Sequence, residues 1–297
     1  MPPSRDPRRD VWTAAPGLAR IPCPITAPPS PFANAINLFF LVPSAGVLPW
    51  LFSHRLKSFI RTRCSTAGCL TRTFNSVNPS PISSAMADDT YAELCAVKAA
   101  ILAKVPKGLD LLQAAALPLV TTTGNQLLLA TGIKAGQTVL VVGAAGSVGR
   151  SAVFTAKACG ATVIAGVLKR QIDDAKTVGA DQVVATDDDT AIANLLRLEA
   201  VADAVGGRTA QKLIAKVKPG GVYASVVGAP QNAPEFPSVK VVAVFSKFDR
   251  KTLEFMADAV RDGKLVIPIS QTLPLSEAAE AQAAAEKGGI GKILLVP

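Results

Sequence analysis

The sequence VLVVGAAGSVG, residues 139–149, leads from a run of apolar, mostly β-branched residues into three glycines spaced G-x-x-G-x-x-G. The apolar run is typical of a buried parallel strand, and the Ala-rich stretch 150–159, which stops at Gly160, is typical of a helix. A second apolar strand, residues 162–165, completes a βαβ unit of about 30 residues. In such a unit the turn's backbone N–H groups and the positive helix end bind a pyrophosphate. The same glycine spacing also occurs in loops that bind nothing, but the strand-turn-helix context favours a dinucleotide site.

The end of the second strand carries cations where an acid is expected. In NAD-binding proteins an Asp or Glu about 20 residues after the glycines binds the ribose 2′-hydroxyl. Here the strand leads into Lys169 and Arg170, and the first acid, Asp173, lies in the following helix. The planar guanidinium and the ammonium suit a 2′-phosphate. The sequence therefore predicts NADP(H) rather than NAD, with the alternative that both cations are ordinary solvated loop residues.

The net charge of +9 is concentrated in the first 85 of the 297 residues. This segment has nine Lys and Arg against two acids, a net charge of +7, and 13 of the 22 prolines. Because no stacking aromatics accompany those cations, we expect no nucleic-acid partner. Its one apolar run, residues 38–52, is interrupted by prolines and shorter than the roughly 20 residues that span a membrane, so we expect no membrane association.

Three interpretations of residues 1–85 stay open: a disordered extension, a targeting segment, or sequence that belongs to no folded domain. The Arg- and Ser-rich, acid-free part from 55 to 84 resembles an organellar transit peptide in composition, although it is internal and proline-rich. We expect low order here, with Met86 as a natural alternative start. The expected location is cytoplasmic, unless this segment directs the protein to an organelle.

The cysteine and histidine content predicts no metal site and no catalytic triad. The five cysteines include no C-x-x-C pair, and the single histidine, His54, lies in a Pro- and Ser-rich context. Cys64 and Cys69 have a spacing that zinc can use, but a closed zinc site needs four ligands. Without a histidine in the ordered part, Ser-His-Asp and Cys-His catalysis are disfavoured as well.

From about residue 90 onward, strand-like and helix-like segments alternate. Strands are expected at 91–97, 103–105, 182–185, 200–205, 222–227 and 241–245, and helices at 109–116, 124–130, 191–197, 209–217 and 251–262. This alternation predicts an α/β fold with a doubly wound parallel sheet, whose ligands bind at the carboxyl ends of the strands. Gly206 and Gly228 fall at two such ends, where small residues let a cofactor approach, although ordinary turns explain them equally well.

Several further motifs, taken in order after residue 90, resemble one protein family. They are YAELCAV (91–97), AAALPLV (114–120), the glycine motif, GAD (179–181), DAVGG (203–207), KPGG (218–221), LPLSEAAEA (273–281) and GKILL (291–295). Together they resemble the zinc-independent medium-chain dehydrogenase/reductases, and most of all the quinone oxidoreductase and enoyl reductase branch.

This resemblance implies a Rossmann domain joined to a GroES-like β-barrel, and NADPH-dependent hydride transfer to a carbonyl or activated C=C bond of a small quinone, enone or aldehyde. It divides the chain into a low-order extension (1–85), a partial GroES-like segment (86–120), the Rossmann domain (121–265) and a C-terminal segment that returns to the GroES-like part (266–297). The predicted cofactor-binding residues are Thr123, Gly143, Ala145, Gly146, Ser147, Val148, Gly149, Lys169, Arg170, Gly206 and Gly228. Leu168 stands where a serine is common in the family, and Asn125 replaces a frequent aromatic. A homodimer is a possible assembly.

The family's N-terminal barrel pattern is not found in residues 1–85, which lack its regularly spaced Gly, Val and Pro-Gly-Glu turns. The strands expected at 91–97 and 103–105 would then have no partners, and one wall of the substrate cleft would be missing. Hydride transfer needs the acceptor held close to the nicotinamide in a dry site. The alternative function is therefore an NADP-binding remnant without turnover, either a pseudoenzyme or the product of a misassigned start. The only tyrosines, Tyr91 and Tyr223, are interpreted as packing residues, and no catalytic residue is assigned.

Overall fold

A computed structural model of the chain describes residues 102–289 and 291–296, together with the backbone of five short strands before them. The strands are β1 (Phe40–Leu41), β2 (Phe59–Cys64), β3 (Thr71–Thr73), β4 (Pro81–Ser84), β5 (Leu94–Lys98), β6 (Leu102–Lys104), β7 (Thr138–Val142), β8 (Thr162–Val167), β9 (Gln182–Ala185), β10 (Leu198–Asp203), β11 (Val217–Ser225), β12 (Lys240–Ala243), β13 (Ile269–Pro274) and β14 (Lys292–Val296). The helices are α1 (Leu111–Ala115), α2 (Pro118–Ala130), α3 (Ser147–Ala158), α4 (Ile172–Ala175), α5 (Asp189–Ala193), α6 (Gly207–Ile214), α7 (Arg250–Arg261) and α8 (Ala278–Glu286).

Six strands form one parallel sheet in the order β12-β11-β10-β7-β8-β9. The chain passes from β7 through α3 to β8 on one side, and after β9 it returns to β10 on the other side of β7. The winding therefore reverses between β7 and β10, and ligands of such sheets bind at the carboxyl edge at that point. The predicted Rossmann-type α/β architecture is confirmed.

Strand β7 is buried on both faces, which explains its uninterrupted apolar sequence. Val139 and Val141 pack into a core with residues of α2 and α3. Leu140 and Val142 point to the opposite face and pack with residues of α6. All four side chains are at most 1% exposed. Since burial of each such side chain contributes about 1.5–3 kcal/mol, this strand anchors the sheet and the turn that follows it.

Two helices begin earlier than the sequence predicts, in each case because of a residue at the N-terminus. Pro118, six residues before the predicted start at 124, is the first residue of α2, a position that needs no N–H donor. Asp188 caps α5 by accepting hydrogen bonds from the N–H groups of Thr190 and Ala191. The predicted helix at 191–197 is accordingly shifted towards the N-terminus.

The expectation that the strands near residues 91–97 and 103–105 have no partners is wrong. Five strands form an antiparallel sheet in the order β5-β2-β3-β4-β6, so that β5 pairs with β2 and β6 pairs with β4. Strand β2 was not predicted from the sequence. Its residues, FIRTRC, include two arginines within the Arg- and Ser-rich part of the chain, whose composition favours a targeting segment over a strand. The remaining residues of 1–85 lie outside the described part, and the domain limits stay predictions.

The C-terminal segment forms a separate parallel sheet in the order β1-β14-β13. The side chain of Leu294, at the centre of β14, is fully buried in a cluster that includes Ala103, Leu117 and Met256. This packing connects β14 to β6, to the start of α2 and to α7, and the predicted return to a GroES-like part stays a prediction.

Candidate functional site

The glycine turn between β7 and α3 is hydrogen-bonded to the neighbouring strand, β8. The N–H groups of Gly143 and Ala144 donate to the carbonyl oxygen of Gly166, at 2.8 and 3.2 Å, and the N–H of Gly146 donates to the carbonyl of Gly143 at 3.0 Å. Gly143 has a φ of +79°, a conformation that residues with a side chain rarely adopt. The turn is therefore a rigid element at the carboxyl edge of the sheet.

Gly149 lets helix α3 approach this turn closely. A Cβ atom at Gly149 would overlap the carbonyl oxygen of Gly143 and lie 2.6 Å from the Cα of Ala144. The third glycine of the motif is thus required for close packing of the helix on the strand, which is the role such a glycine has in dinucleotide-binding folds.

The N-terminus of α3 presents free backbone donors. Its N-cap residue, Gly146, makes no side-chain hydrogen bond, and the first turn contains no acidic residue. The first hydrogen bond back to the cap comes from the N–H of Arg150, at 2.8 Å from the Gly146 carbonyl. By helix geometry the N–H groups of Ser147, Val148 and Gly149 have no partner within the helix. Together with the helix dipole they form an anion-binding site of the kind that holds a phosphate.

Helix α2, which contains Thr122 and Thr123, packs against the first turn of α3. A Cβ at Gly124 would overlap the carbonyl oxygen of Val148, so the two helices meet at that residue. The hydroxyl oxygens of Thr122 and Thr123 are buried and have no hydrogen-bond partner among the described residues. A buried hydroxyl without a partner costs about 1–3 kcal/mol, and a polar ligand group beside the glycine turn would supply one. Thr123 is among the residues predicted from the sequence and Thr122 is not, and a cofactor role for Thr123 stays a prediction.

Lys169 and Arg170 occupy a short 3₁₀ turn, Lys169–Gln171, immediately after the end of β8. Both residues are exposed, and within the described part of the chain no hydrogen bond or ion pair involves either side chain. The backbone N–H of Lys169 donates to the Asp187 carboxylate at 2.8 Å. Asp187, which follows β9, therefore fixes the turn that carries the two cations.

Gly206 and Gly228 lie on loops that follow β10 and β11. These loops border a cleft of about 170 Å³ whose lining also includes Val227 and Pro230. Val205, next to Gly206, comes close to the glycine turn, since a Cβ at Gly143 would lie 2.7 Å from its Cγ2 atom. The structure thus brings the loop at Gly206 beside the turn, whereas Gly228 lines the cleft farther along the same edge.

A buried carboxylate holds the loop after β10 in place. The Oδ1 atom of Asp203 accepts hydrogen bonds from the N–H groups of Val205 and Gly206, at 2.9 and 3.0 Å. Its Oδ2 atom accepts one from the Tyr223 hydroxyl at 2.8 Å, and both residues are fully buried. Burial, followed by the adjacent Asp203, raises the pKa of Tyr223 well above its usual range. Tyr223 is therefore a structural residue, as interpreted from the sequence; the side chain of Tyr91 lies outside the described residues.

Within residues 102–289 and 291–296, no group of three or more His, Cys, Asp or Glu side chains could hold a metal ion. The side chains of His54, Cys23, Cys64, Cys69 and Cys95 lie outside these ranges, and zinc independence stays a prediction. No helix in the same ranges is long and apolar enough to cross a membrane.

A doubly wound parallel sheet with a glycine turn and an uncapped helix N-terminus at its switch point defines a Rossmann-type protein. Residues 178–295 match a family described as zinc-binding dehydrogenases. The chloroplast envelope quinone oxidoreductase homolog of Arabidopsis thaliana is 30% identical over 227 residues, which cover 69% of this chain and 68% of that protein. The chain belongs to this family, the quinone oxidoreductase-like medium-chain dehydrogenase/reductases.

Two further similarities agree with this assignment. The NADPH-dependent alkenal/one oxidoreductase, chloroplastic, of Arabidopsis thaliana is 29% identical over 213 residues, 70% of this chain. This chain spans about half of that relative's length, 53%. The solved structure of the quinone oxidoreductase from Coxiella burnetii is 27% identical and covers 76% of each chain with a TM-score of 0.68.

Proposed function

We propose that this chain is an NADPH-dependent oxidoreductase that transfers a hydride, without zinc, to a carbonyl or activated C=C bond of a small quinone, enone or aldehyde. The observation that carries the proposal is the uncapped N-terminus of α3 at the carboxyl edge of the sheet, together with Lys169 and Arg170 after β8, exposed cations whose side chains make no ion pair among the described residues. The names of the relatives from Arabidopsis thaliana and Coxiella burnetii support the same chemistry.

The residues of the carboxyl edge have distinct roles in this proposal. The N–H groups of Ser147, Val148 and Gly149 bind the pyrophosphate, because the helix dipole and their free hydrogens favour an anion. Lys169 and Arg170 bind the 2′-phosphate, which charge-assisted hydrogen bonds stabilise. The loops at Gly206 and Gly228 leave room for the cofactor's length along the edge of the sheet.

The hydroxyl of Thr123 is the group best suited to orient the reacting end of the cofactor. It lies in α2 beside the α3 first turn, and it has no hydrogen-bond partner among the described residues. An amide on the nicotinamide would satisfy it. When bound, the reduced nicotinamide supplies the hydride, and the protein's contribution is to fix the ring and exclude water. We assign no proton donor.

The test is a fluorescence titration of the full chain with NADPH and with NADH, followed by a turnover assay with a simple enone and a quinone. We expect NADPH to bind at least tenfold more tightly than NADH. The double variant Lys169→Gln/Arg170→Gln should lose that preference while keeping its NADH affinity. Lys240→Gln is the matched control, because Lys240 is an exposed cation at the start of β12, on the opposite edge of the sheet.

The outcomes separate the two candidate functions. If the chain binds NADPH and oxidises it in the presence of an enone or a quinone, the result supports the reductase. Binding without turnover by any of these substrates supports the NADP-binding remnant instead. A chain that binds neither nucleotide contradicts both, and equal affinity for NADH removes the role given to Lys169 and Arg170. We also propose the homodimer and the domain limits of the sequence analysis, which sedimentation and limited proteolysis would test.

A further inference from the structure

Arg150 directly follows the glycine motif and reaches back to it. Its Nε atom donates a hydrogen bond to the carbonyl oxygen of Ala145, in the turn, at 2.9 Å. Helical side chains lean towards the N-terminus of their helix, which is the direction this contact requires. The guanidinium therefore lies against the turn, although its residue is in the helix.

The face of α3 that carries Arg150 is directed towards β8 and β9. Lys157, seven residues later and thus on the same face, forms an ion pair at 2.7 Å with Asp181, which lies just before β9. Other faces of the helix are taken by the sheet, where Val153 packs, and by α2, which approaches Ser151. Arg150 thus points to the side of the turn on which β8 ends.

The charged segment after β8 lies near the Arg150 guanidinium. Burial of Arg150 lowers its pKa, and the negative charge of the nearby Asp174 acts in the opposite direction and raises it. Asp174 is in α4, which follows the turn of Lys169 and Arg170 without a break. Arg150 therefore lies at the glycine turn, which is hydrogen-bonded to Gly166 near the end of β8, and Lys169 and Arg170 follow that strand end directly.

The outer nitrogens of the guanidinium are available to a ligand. Among the described residues, the hydrogen bond from Nε is the one bond that the Arg150 side chain makes, and no ion pair joins it to Asp174. The side chain is half-buried, so its charge is partly removed from water, and the nearby Asp174 compensates it without a salt bridge among the described residues. A phosphate would supply a directly bonded counter-ion, and the planar guanidinium binds it through two parallel hydrogen bonds.

We propose that Arg150 is a specificity-determining residue that binds the 2′-phosphate of the adenosine ribose together with Lys169 and Arg170. This inference rests on the proposed function, because it assumes that the glycine turn holds a dinucleotide. It extends the site beyond the glycine motif, since Arg150 is held by Ala145 in the orientation that faces β8 before any ligand arrives.

The experiment compares adenosine 2′,5′-bisphosphate with 5′-AMP, which lacks the 2′-phosphate, by calorimetric titration of the full chain. We expect Arg150→Gln to weaken binding of the bisphosphate about tenfold or more and to change 5′-AMP binding less than twofold. Lys157→Gln is the matched control, because it removes a cation from the same face about 10 Å along the helix and should change neither affinity. Arg150→Lys keeps the charge but not the planar group, and should show an intermediate loss.

Each other outcome has a defined meaning. Equal weakening of both ligands in Arg150→Gln overturns the proposal, because Arg150 would then support the turn or touch the 5′-phosphate only. An unchanged bisphosphate affinity overturns it as well. If the unmodified chain does not prefer the bisphosphate over 5′-AMP, the proposed NADP preference fails first. If Arg150→Gln does not fold, as judged by circular dichroism, the comparison is made on Arg150→Lys with the same criteria.

Discussion

Replacing Tyr223 by Phe tests how strongly the buried hydrogen bond from Tyr223 to the carboxylate of Asp203 stabilises the fold. The substitution keeps the ring and removes only the hydroxyl that donates to Asp203 Oδ2 at 2.8 Å. The remaining side-chain donor to that oxygen is the Ser225 hydroxyl, at the longer distance of 3.4 Å. The contacts of Oδ1 with the backbone of Val205 and Gly206 are not touched.

The expected cost follows from the burial of both partners. Hydrogen bonds to charged groups contribute about 1.5–3 kcal/mol, and a buried acceptor that loses its donor keeps its full desolvation penalty. Tyr223 and Asp203 are both 0% exposed, so water does not replace the hydroxyl. We therefore expect Tyr223→Phe to lose about 2–3 kcal/mol of unfolding free energy. For a domain of about 150–250 residues this lowers Tm by roughly 4–12 °C.

Urea and thermal unfolding followed by circular dichroism measure this loss. Ser225→Ala is the matched control: it removes a hydroxyl from the same carboxylate oxygen, but a weaker hydrogen bond, and should cost less than half as much. Because Oδ1 still holds the loop at Gly206, NADPH affinity should change less than twofold in Tyr223→Phe. A loss below about 0.5 kcal/mol, or equal losses for the two variants, would refute the reasoning that burial makes this hydrogen bond strong.

Three further predictions concern the turn and its surroundings. Gly149→Ala forces a Cβ against the Gly143 carbonyl, so we expect a loss of about 1–3 kcal/mol in urea unfolding and weaker NADPH binding; retained affinity would contradict the close packing. Thr123→Val removes a buried hydroxyl without a partner, so stability should hold or rise while NADPH affinity falls about five- to tenfold by fluorescence titration; a fall in Tm would mean that the hydroxyl is already satisfied. Burial works to raise the pKa of Asp181, but hydrogen bonds from Lys157 and a backbone N–H outweigh it and hold that pKa below its usual range. Because the pKa of Asp181 is lower in the folded chain than in the unfolded chain, where it is about 3.9, the ionised carboxylate stabilises the fold at a pH above about 3.9. This stabilisation is lost as the pH falls through the folded-state pKa. The difference in urea midpoint between wild type and Asp181→Asn should therefore be present at pH 7 and should disappear as the pH falls below about 4. A difference that does not change with pH would exclude an electrostatic origin.

The central sheet was predictable because each of its strands carries a local signal. Strand β9 was predicted at 182–185, where the structure has it, since a short apolar run stands between a glycine turn and an acidic run. Strand β11 was predicted five residues too short at its start, because the KPGG sequence is typical of a turn. There the strand continues through the turn-like residues with an irregular register against β10. Local propensity was overridden by pairing with a neighbour.

The antiparallel sheet was not predictable in the same way. Its strands β3 and β4 are short, β2 contains two arginines, and the strands β5 and β6 that pair with β2 and β4 are distant from them in sequence. Pairing between remote segments depends on backbone hydrogen bonds, which every sequence can make, and on side-chain contacts that one segment alone does not reveal. Composition therefore led to the wrong expectation that the strands near residues 91–97 and 103–105 have no partners.

For the candidate site, the sequence by itself determined the glycine turn, the helix behind it and the two cations after β8, because each depends on residues adjacent in the chain. Only the tertiary structure decided what surrounds the turn. It packed α2 at Gly124 against Val148 in the first turn of α3, joined the Tyr223 hydroxyl to the buried carboxylate of Asp203, and joined the N–H of Lys169 to the carboxylate of Asp187. These contacts join residues 18 to 24 positions apart, and burial and charge at such contacts arise only when the chain has folded. In the proposed function the glycine motif is the place of the pyrophosphate, and the groups that select the nucleotide come from the surrounding fold.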